Sequence, residues 1–226
     1  MYYIYGGLTL SPKQQLFWQV KLTDQDDVIE VSDVASFEMG FLDAKLFDAA
    51  WISCVDTNTS DRLPADYFFK TFTCQKNIKR ARLYITALGT YEASINGEVV
   101  SDFYLAPGSQ QYDKRLYYQI YDVKKYLQET NDFHIILGDG WYKGKLGCDS
   151  DECLFGQKTM VKAQLEVIYE DGLIETVKTD KSFMWSNDGV IRYNDIKVGV
   201  VLDFNKTITY QTHAIESSSN ITPSVS

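Results

Sequence analysis

Residues Tyr91–Asp102 read YEASINGEVVSD, with Asn96-Gly97 set between two β-prone runs. Both central positions of a two-residue hairpin turn need φ > 0, which Asn and Gly tolerate best. The dipeptide therefore predicts a tight hairpin and commits its surroundings to antiparallel pairing. Met160–Tyr169 repeats the logic: Val161, Ala163, Leu165, Val167 and Tyr169 alternate with Lys162, Gln164, Glu166 and Ile168, and Glu170-Asp171-Gly172 turns the chain back into Leu173–Thr179. Arg80–Leu88 sets Leu83, Ile85 and Ala87 on one face against Arg82, Tyr84 and Thr86 on the other. Further strands are expected at Phe17–Leu22, Val28–Val31, Ser36–Met39, Tyr67–Thr73, Leu116–Tyr121, Asp132–Leu137, Phe183–Trp185 and Val190–Tyr193. Helix is confined to single turns, within Gly40–Ala50 and at Asp122–Leu127, where Asp122 is placed as N-cap. Turn signals every roughly 8–12 residues with so little helix predict an all-β fold, an antiparallel jelly-roll-like β-sandwich.

The strands are unevenly distributed. Residues 1–50 hold too few to bury two faces, so they read as a partial β segment. Residues 51–213 form the sandwich, with Asp56–Asp66 as a polar surface loop. Residues 214–226 are Ser-rich and read as a tail or linker.

A net charge of −9 argues against nucleic acid, which needs a Lys/Arg surface. No apolar run reaches the roughly 18 residues of a membrane span. The first residues carry no basic n-region or cleavage site, which predicts a cytoplasmic protein. Cys54, Cys74, Cys148 and Cys153 make no zinc pattern and are expected to be free thiols. The glycosylation triplets at Asn58, Asn205 and Asn220 are read as coincidental.

Chemistry concentrates in Leu137–Gly147, LGDGWYKGKLG, where Gly138, Gly140, Gly144 and Gly147 frame Trp141 and Tyr142. Such a stretch is a shaped loop. Its aromatic pair is either a plug over the core or a platform on which the C–H face of a sugar stacks, with Asp139 and Lys143 bonding hydroxyls. Asp113 and Arg115, in Tyr112–Arg115, either contact sugar as well or simply start a charged strand. Asp149, Asp151 and Glu152 follow the glycine loop and read as a solvated acidic turn or as ligands for calcium, without the spacing of an EF-hand. With His134 and His213 the only histidines, no hydrolase triad is in view.

Several runs together resemble the N-terminal domain of bacterial α-L-rhamnosidases of glycoside hydrolase family 78. They are Lys79–Gly89 with Tyr91-Glu92, Ile95-Asn-Gly97, Tyr104-Leu-Ala-Pro-Gly108, Tyr112 with Lys114-Arg-Leu116, Tyr118-Gln119, Tyr121-Asp-Val123, Gly138–Gly144, Ala163–Glu166 and Tyr169–Gly172. The likeness covers about residues 67–204. Phe37–Leu42 also resembles the end of the immunoglobulin-like segment preceding that domain, making residues 1–50 a partial immunoglobulin-like segment. Two positions depart from the pattern. Ser109 stands where a Trp follows the LAPG turn, and Asp195–Phe204 replaces DIYxGExYDAR, keeping Asp195, Gly199 and Asp203 but placing Val200 for Glu and Leu202 for Tyr.

The resemblance implies a non-catalytic portion of such an enzyme, one that aids recognition of L-rhamnose-containing glycosides or buttresses an (α/α)6 catalytic barrel lying C-terminal to residue 226. Inversion at a sugar needs two carboxyl groups about 6.5–9.5 Å apart. In the family these sit in the barrel, so no catalytic residue is expected here. The alternative is a stand-alone structural or interaction β-sandwich.

Overall fold

A computed structural model of the chain describes residues 6–7, 9–54, 63–148 and 151–219. The chain divides into two compact units, Met1–Phe47 and Asp48–Ser224. The first holds β1 (Gln15–Trp18), β2 (Lys21–Thr23), β3 (Ile29–Val31) and β4 (Ala35–Glu38), with β1 pairing β4 and β2 pairing β3. The single strand expected over Phe17–Leu22 is two. It breaks at Val20, whose N–H donates to the Ser32 hydroxyl (2.9 Å) while its carbonyl accepts from Ser32 N (2.9 Å). A 3-10 turn, Ala44–Leu46, follows, capped by Asp43 Oδ1 on Lys45 N.

The second unit runs through β5 (Trp51–Ser53), β6 (Asp66–Thr73), β7 (Ile78–Leu88), β8 (Thr90–Ile95), β9 (Glu98–Val99), β10 (Gln119–Asp122) and β11 (Thr130–Gly138). The α-helical turn α1 (Gly140–Lys143) comes next, then β12 (Met160–Tyr169), β13 (Ile174–Lys178), β14 (Met184–Ser186), β15 (Ile191–Asp195), β16 (Gly199–Leu202), β17 (Thr212–His213) and β18 (Ile215–Ser217). One antiparallel sheet runs β10-β7-β12-β5-β18 with β13 also on β12, and the other runs β17-β14-β6-β11-β8-β9. The expected two-sheet β-sandwich is what the chain forms. Asn96 (φ 53°) and Gly97 (φ 83°) make the tight turn between β8 and β9.

The core lies between the sheets, where Ala81, Leu83, Ile85 and Ala87 of β7 and Val161, Ala163, Leu165 and Val167 of β12 meet Phe68, Phe72, Ala93, Ile95, Phe133, Ile135 and Leu137 from the other sheet. The back of β7 is not solvated as alternation suggests. Tyr84 and Thr86 are fully buried, and Thr86 Oγ1 donates to Tyr117 O at 2.7 Å, so the segment before β10 crosses that face.

Two expectations are corrected. The tail expected from residue 214 begins inside the fold, because Ala214 is buried and Ile215–Ser217 pairs with β5. Backbone pairing asks little of side chains, so composition does not reveal such an edge strand. Asp66, assigned to the polar loop, opens β6 and is buried.

Asp66 accepts from Trp185 Nε1 (2.8 Å) and Thr159 Oγ1 (3.4 Å). Burial pushes its carboxyl up to about 6, against the Trp185 and Thr159 hydrogen bonds and the Lys143 charge, which lower it, while Asp139 raises it further. A carboxyl raised on folding stabilises fully below its unfolded value, and that contribution is lost as pH climbs through the folded one. Relative to Asp66→Asn, the native chain is therefore expected to lose about 3 kcal/mol of stability between about pH 4 and 7. Urea melts of both proteins across that range measure it, and a constant difference would refute the assignment.

Candidate functional site

The glycine-framed stretch starts where β11 leaves the core, with Leu137 buried in it and Gly138 paired to Thr90 of β8. Gly140 takes φ +55°, and a Cβ there would lie 2.6 Å from Thr90 Cγ2. Only a bare backbone lets α1 sit this close to the β7–β8 turn. Both ends of the stretch are tied to β15. Asp139 N donates to Asn194 Oδ1 (2.9 Å), and Lys145 N donates to Asp195 Oδ2 (2.7 Å).

The expected aromatic pair splits between two environments. Tyr142 is 6% exposed and packs with Trp51, Leu88, Tyr112, Leu116 and Met160, meeting Tyr112 edge-on at 5.1 Å. It presents no face on which a sugar ring can stack. Trp141 is half-buried against the same cluster. Asp139 and Lys143 pair with each other at 3.4 Å, each side chain 17% exposed. Burial raises the Asp139 carboxyl, and the Lys143 ammonium lowers it in part. In this arrangement the two charges serve each other.

Asp113 and Arg115 are exposed on either side of the segment that Tyr112 anchors beside Tyr142, and the Arg115 guanidinium lies 5.1 Å from the Tyr117 ring. Asp149 lies outside the described residues. Asp151 is exposed with its backbone bridged to Leu146, and Glu152 faces Lys145 Nζ at 3.9 Å. Among the described residues no three His, Cys, Asp or Glu side chains converge as a metal site. The four cysteines are free thiols, and His134 lies in β11 with its ring against Phe69 at 4.6 Å.

An open groove of about 820 Å³ lies on the other side of the β11 terminus. Its walls include Glu92, Phe103, Tyr104, Tyr121, Lys125 and Asn194. Phe103, Tyr104 and Leu105 are 53, 83 and 53% exposed, an apolar run projecting from the turn before Pro107. Behind them the Tyr91 hydroxyl meets Gln119 Oε1 (3.0 Å) and the Tyr121 hydroxyl (3.1 Å). Sequence reasoning took this segment only as a turn. The available signal was three consecutive bulky residues, Phe-Tyr-Leu, where a turn calls for polar ones.

The carboxyl groups of Glu92 and Asp102 also line the groove, whereas Asp66 is buried behind Trp185 and Thr159. The groove thus offers aromatic faces, hydroxyls, one ammonium and two carboxyl groups, the mixture of apolar and polar groups that binds polyols. The plug role of Tyr142 predicts that Tyr142→Ala costs about 3–5 kcal/mol of stability, whereas Asp113→Ala and Arg115→Ala each cost under about 0.5 kcal/mol, measured by denaturant melts.

Comparison with known proteins places this architecture. A family model described as the alpha-L-rhamnosidase N-terminal domain matches residues 76–224, and one described as a Rha78A-like N-terminal immunoglobulin domain matches residues 1–43. An alpha-L-rhamnosidase of Formosa agariphila is 32% identical over 218 residues, 92% of this chain and 23% of the relative. Another, from Alteromonas sp. (strain LOR), is 31% identical over 198 residues, 84% of this chain and 21% of the relative. Among solved structures, native α-L-rhamnosidase from Aspergillus terreus superposes with a TM-score of 0.85 at 29% identity, covering 93% of this chain and 26% of that one. The Dictyoglumus thermophilum α-L-rhamnosidase gives 0.82 at 31%, covering 95% and 26%. The chain therefore spans about a quarter of the length of the proteins it matches. By its matched span, its strand order and its two-sheet core, it belongs to the α-L-rhamnosidase N-terminal domain family.

Proposed function

We propose that the chain acts as the non-catalytic N-terminal β-sandwich portion of an α-L-rhamnosidase and contributes to recognising L-rhamnose-containing glycosides through the groove beside Phe103 and Tyr104. One observation carries the recognition role, the exposed Phe103-Tyr104-Leu105 run at the edge of a groove that also offers Lys125 and Asn194. Rhamnose is a deoxysugar, with a methyl group and apolar C–H faces beside its hydroxyls, and such a ligand suits aromatic walls interrupted by a few polar groups.

The glycine-framed loop takes the second role, as buttress. Tyr142 closes the aromatic cluster, and the Asp139–Lys143 pair is spent within α1. Trp141, half-buried against that cluster, and the exposed Asp113 and Arg115 are proposed as contacts to the rest of the enzyme, the catalytic barrel above all. Chemistry is proposed for that barrel, where the family resemblance puts the two carboxyl groups that inversion at a sugar requires.

Calorimetric titration with L-rhamnose checks the recognition role. Binding in the millimolar range is expected, weakened roughly fivefold by Tyr104→Ala, a loss of about 1 kcal/mol, and unchanged by Trp141→Ala. No heat at millimolar sugar would remove the groove from the proposal. An aryl rhamnoside incubated with this chain is expected to release no nitrophenol.

A further inference from the structure

The β15–β16 hairpin forms a two-stranded ribbon of its own. Every residue of β16 is exposed, and Ile196, Val198, Val200, Leu202 and Phe204 are 39, 52, 57, 44 and 81% exposed. An apolar edge strand with no Pro and no charge within it is an open template for another strand. Asp203 N donates to Val190 O at 2.9 Å, toward β15. By the alternation of an antiparallel ladder, the backbone groups of Val200 and Leu202 then point away from β15, along the open edge.

We infer that β16 pairs with β16 of a second copy of this chain, antiparallel and centred on Val200. The occupant follows from the self-complementarity of the segment. In this register Val200 faces Val200, Val198 faces Leu202, and Ile196 at the hairpin tip comes beside Phe204, so apolar residues meet throughout one face. On the other face Gly199 meets Val201, and Lys197, whose ammonium donates within its own chain to Gly147 O and to Cys148 O (3.4 Å), comes beside Asp203, once at each end. A two-fold axis through Val200 repeats every contact, giving a closed, isologous dimer and not an open fibre. Four backbone hydrogen bonds fit the register: Val200 N to Val200 O in both directions, and Leu202 N to Val198 O in both. The Val198 N–H stays with its own Asp195 Oδ1 (2.7 Å). The inference is independent of sugar recognition.

Sedimentation velocity of the whole chain over a concentration series tests it. A dimer fraction that rises with concentration is expected. Val200→Lys sets two ammonium groups face to face on the axis and is expected to weaken association at least about tenfold, with the circular dichroism and melting temperature unchanged. A covalent test stands beside these. In a Cys148→Ser background, Val200→Cys is expected to give a disulfide-linked dimer on mild oxidation, since directly paired positions lie about 5.5 Å apart between Cα atoms, whereas Ile174→Cys on β13 gives none. A chain that stays monomeric at every concentration, a dimer indifferent to Val200→Lys, or linkage no faster at Val200→Cys than at Ile174→Cys would each overturn the inference.

Discussion

The antiparallel ladder between β7 and β12 holds the rest of the second unit in place. It runs ten residue pairs, from Met160 opposite Leu88 to Tyr169 opposite Ile78, and joins segments some eighty residues apart in the chain. On its core face Leu165 faces Leu83, and the other pairs set larger against smaller, Ile85 opposite Ala163, Val161 opposite Ala87 and Val167 opposite Ala81. A slip of one residue would turn all eight side chains to the wrong face, so this row fixes the register more firmly than any single hydrogen bond. Both neighbouring structures follow from it. β10 and β13 find their edges on β7 and β12, and β8 leaves β7 at the corner where α1 must pass close to the backbone.

What could be read from residue order is what is decided locally. Asn96-Gly97 needs only its own dihedrals to specify a turn, and β12 needs only its period of two. Where a distant partner decides, the sequence is mute. Nothing in Phe17–Leu22 says that Ser32 will interrupt it, and nothing in Ile215–Ser217 says that β5 offers an open edge. Asp66 is the clearest case. Its polar neighbours suggest a loop, yet Trp185, 119 positions away, buries it and supplies its hydrogen bond. The candidate site divides in the same way. That the glycine-framed stretch is a shaped loop was readable, but which side of Tyr142 meets Tyr112 depends on a segment thirty residues earlier. The groove went unread because residue type does not distinguish an exposed Tyr104 from a buried Tyr142.

The departures from the family pattern at Asp195–Phe204 become intelligible once each residue's work is separated. Asp195 accepts from Lys197 N (2.8 Å) and Val198 N (2.7 Å) with one oxygen and from Lys145 N (2.7 Å) with the other, so one carboxylate ties the hairpin turn to the glycine-framed loop. Gly199 adopts φ +104°, a conformation that costs any other residue dearly. Asp203 accepts from Asn205 N (3.0 Å) and turns the chain out of β16. The three retained residues thus all serve backbone geometry. Val200 and Leu202, by contrast, carry exposed side chains on an edge whose shape is set without them. Substitution there leaves the hairpin intact and changes only what it presents to its surroundings. In this chain that is an apolar row where the pattern has a carboxylate and a phenol, so a new contact surface can arise on this ribbon without disturbing the loop, the groove or the sandwich beneath them.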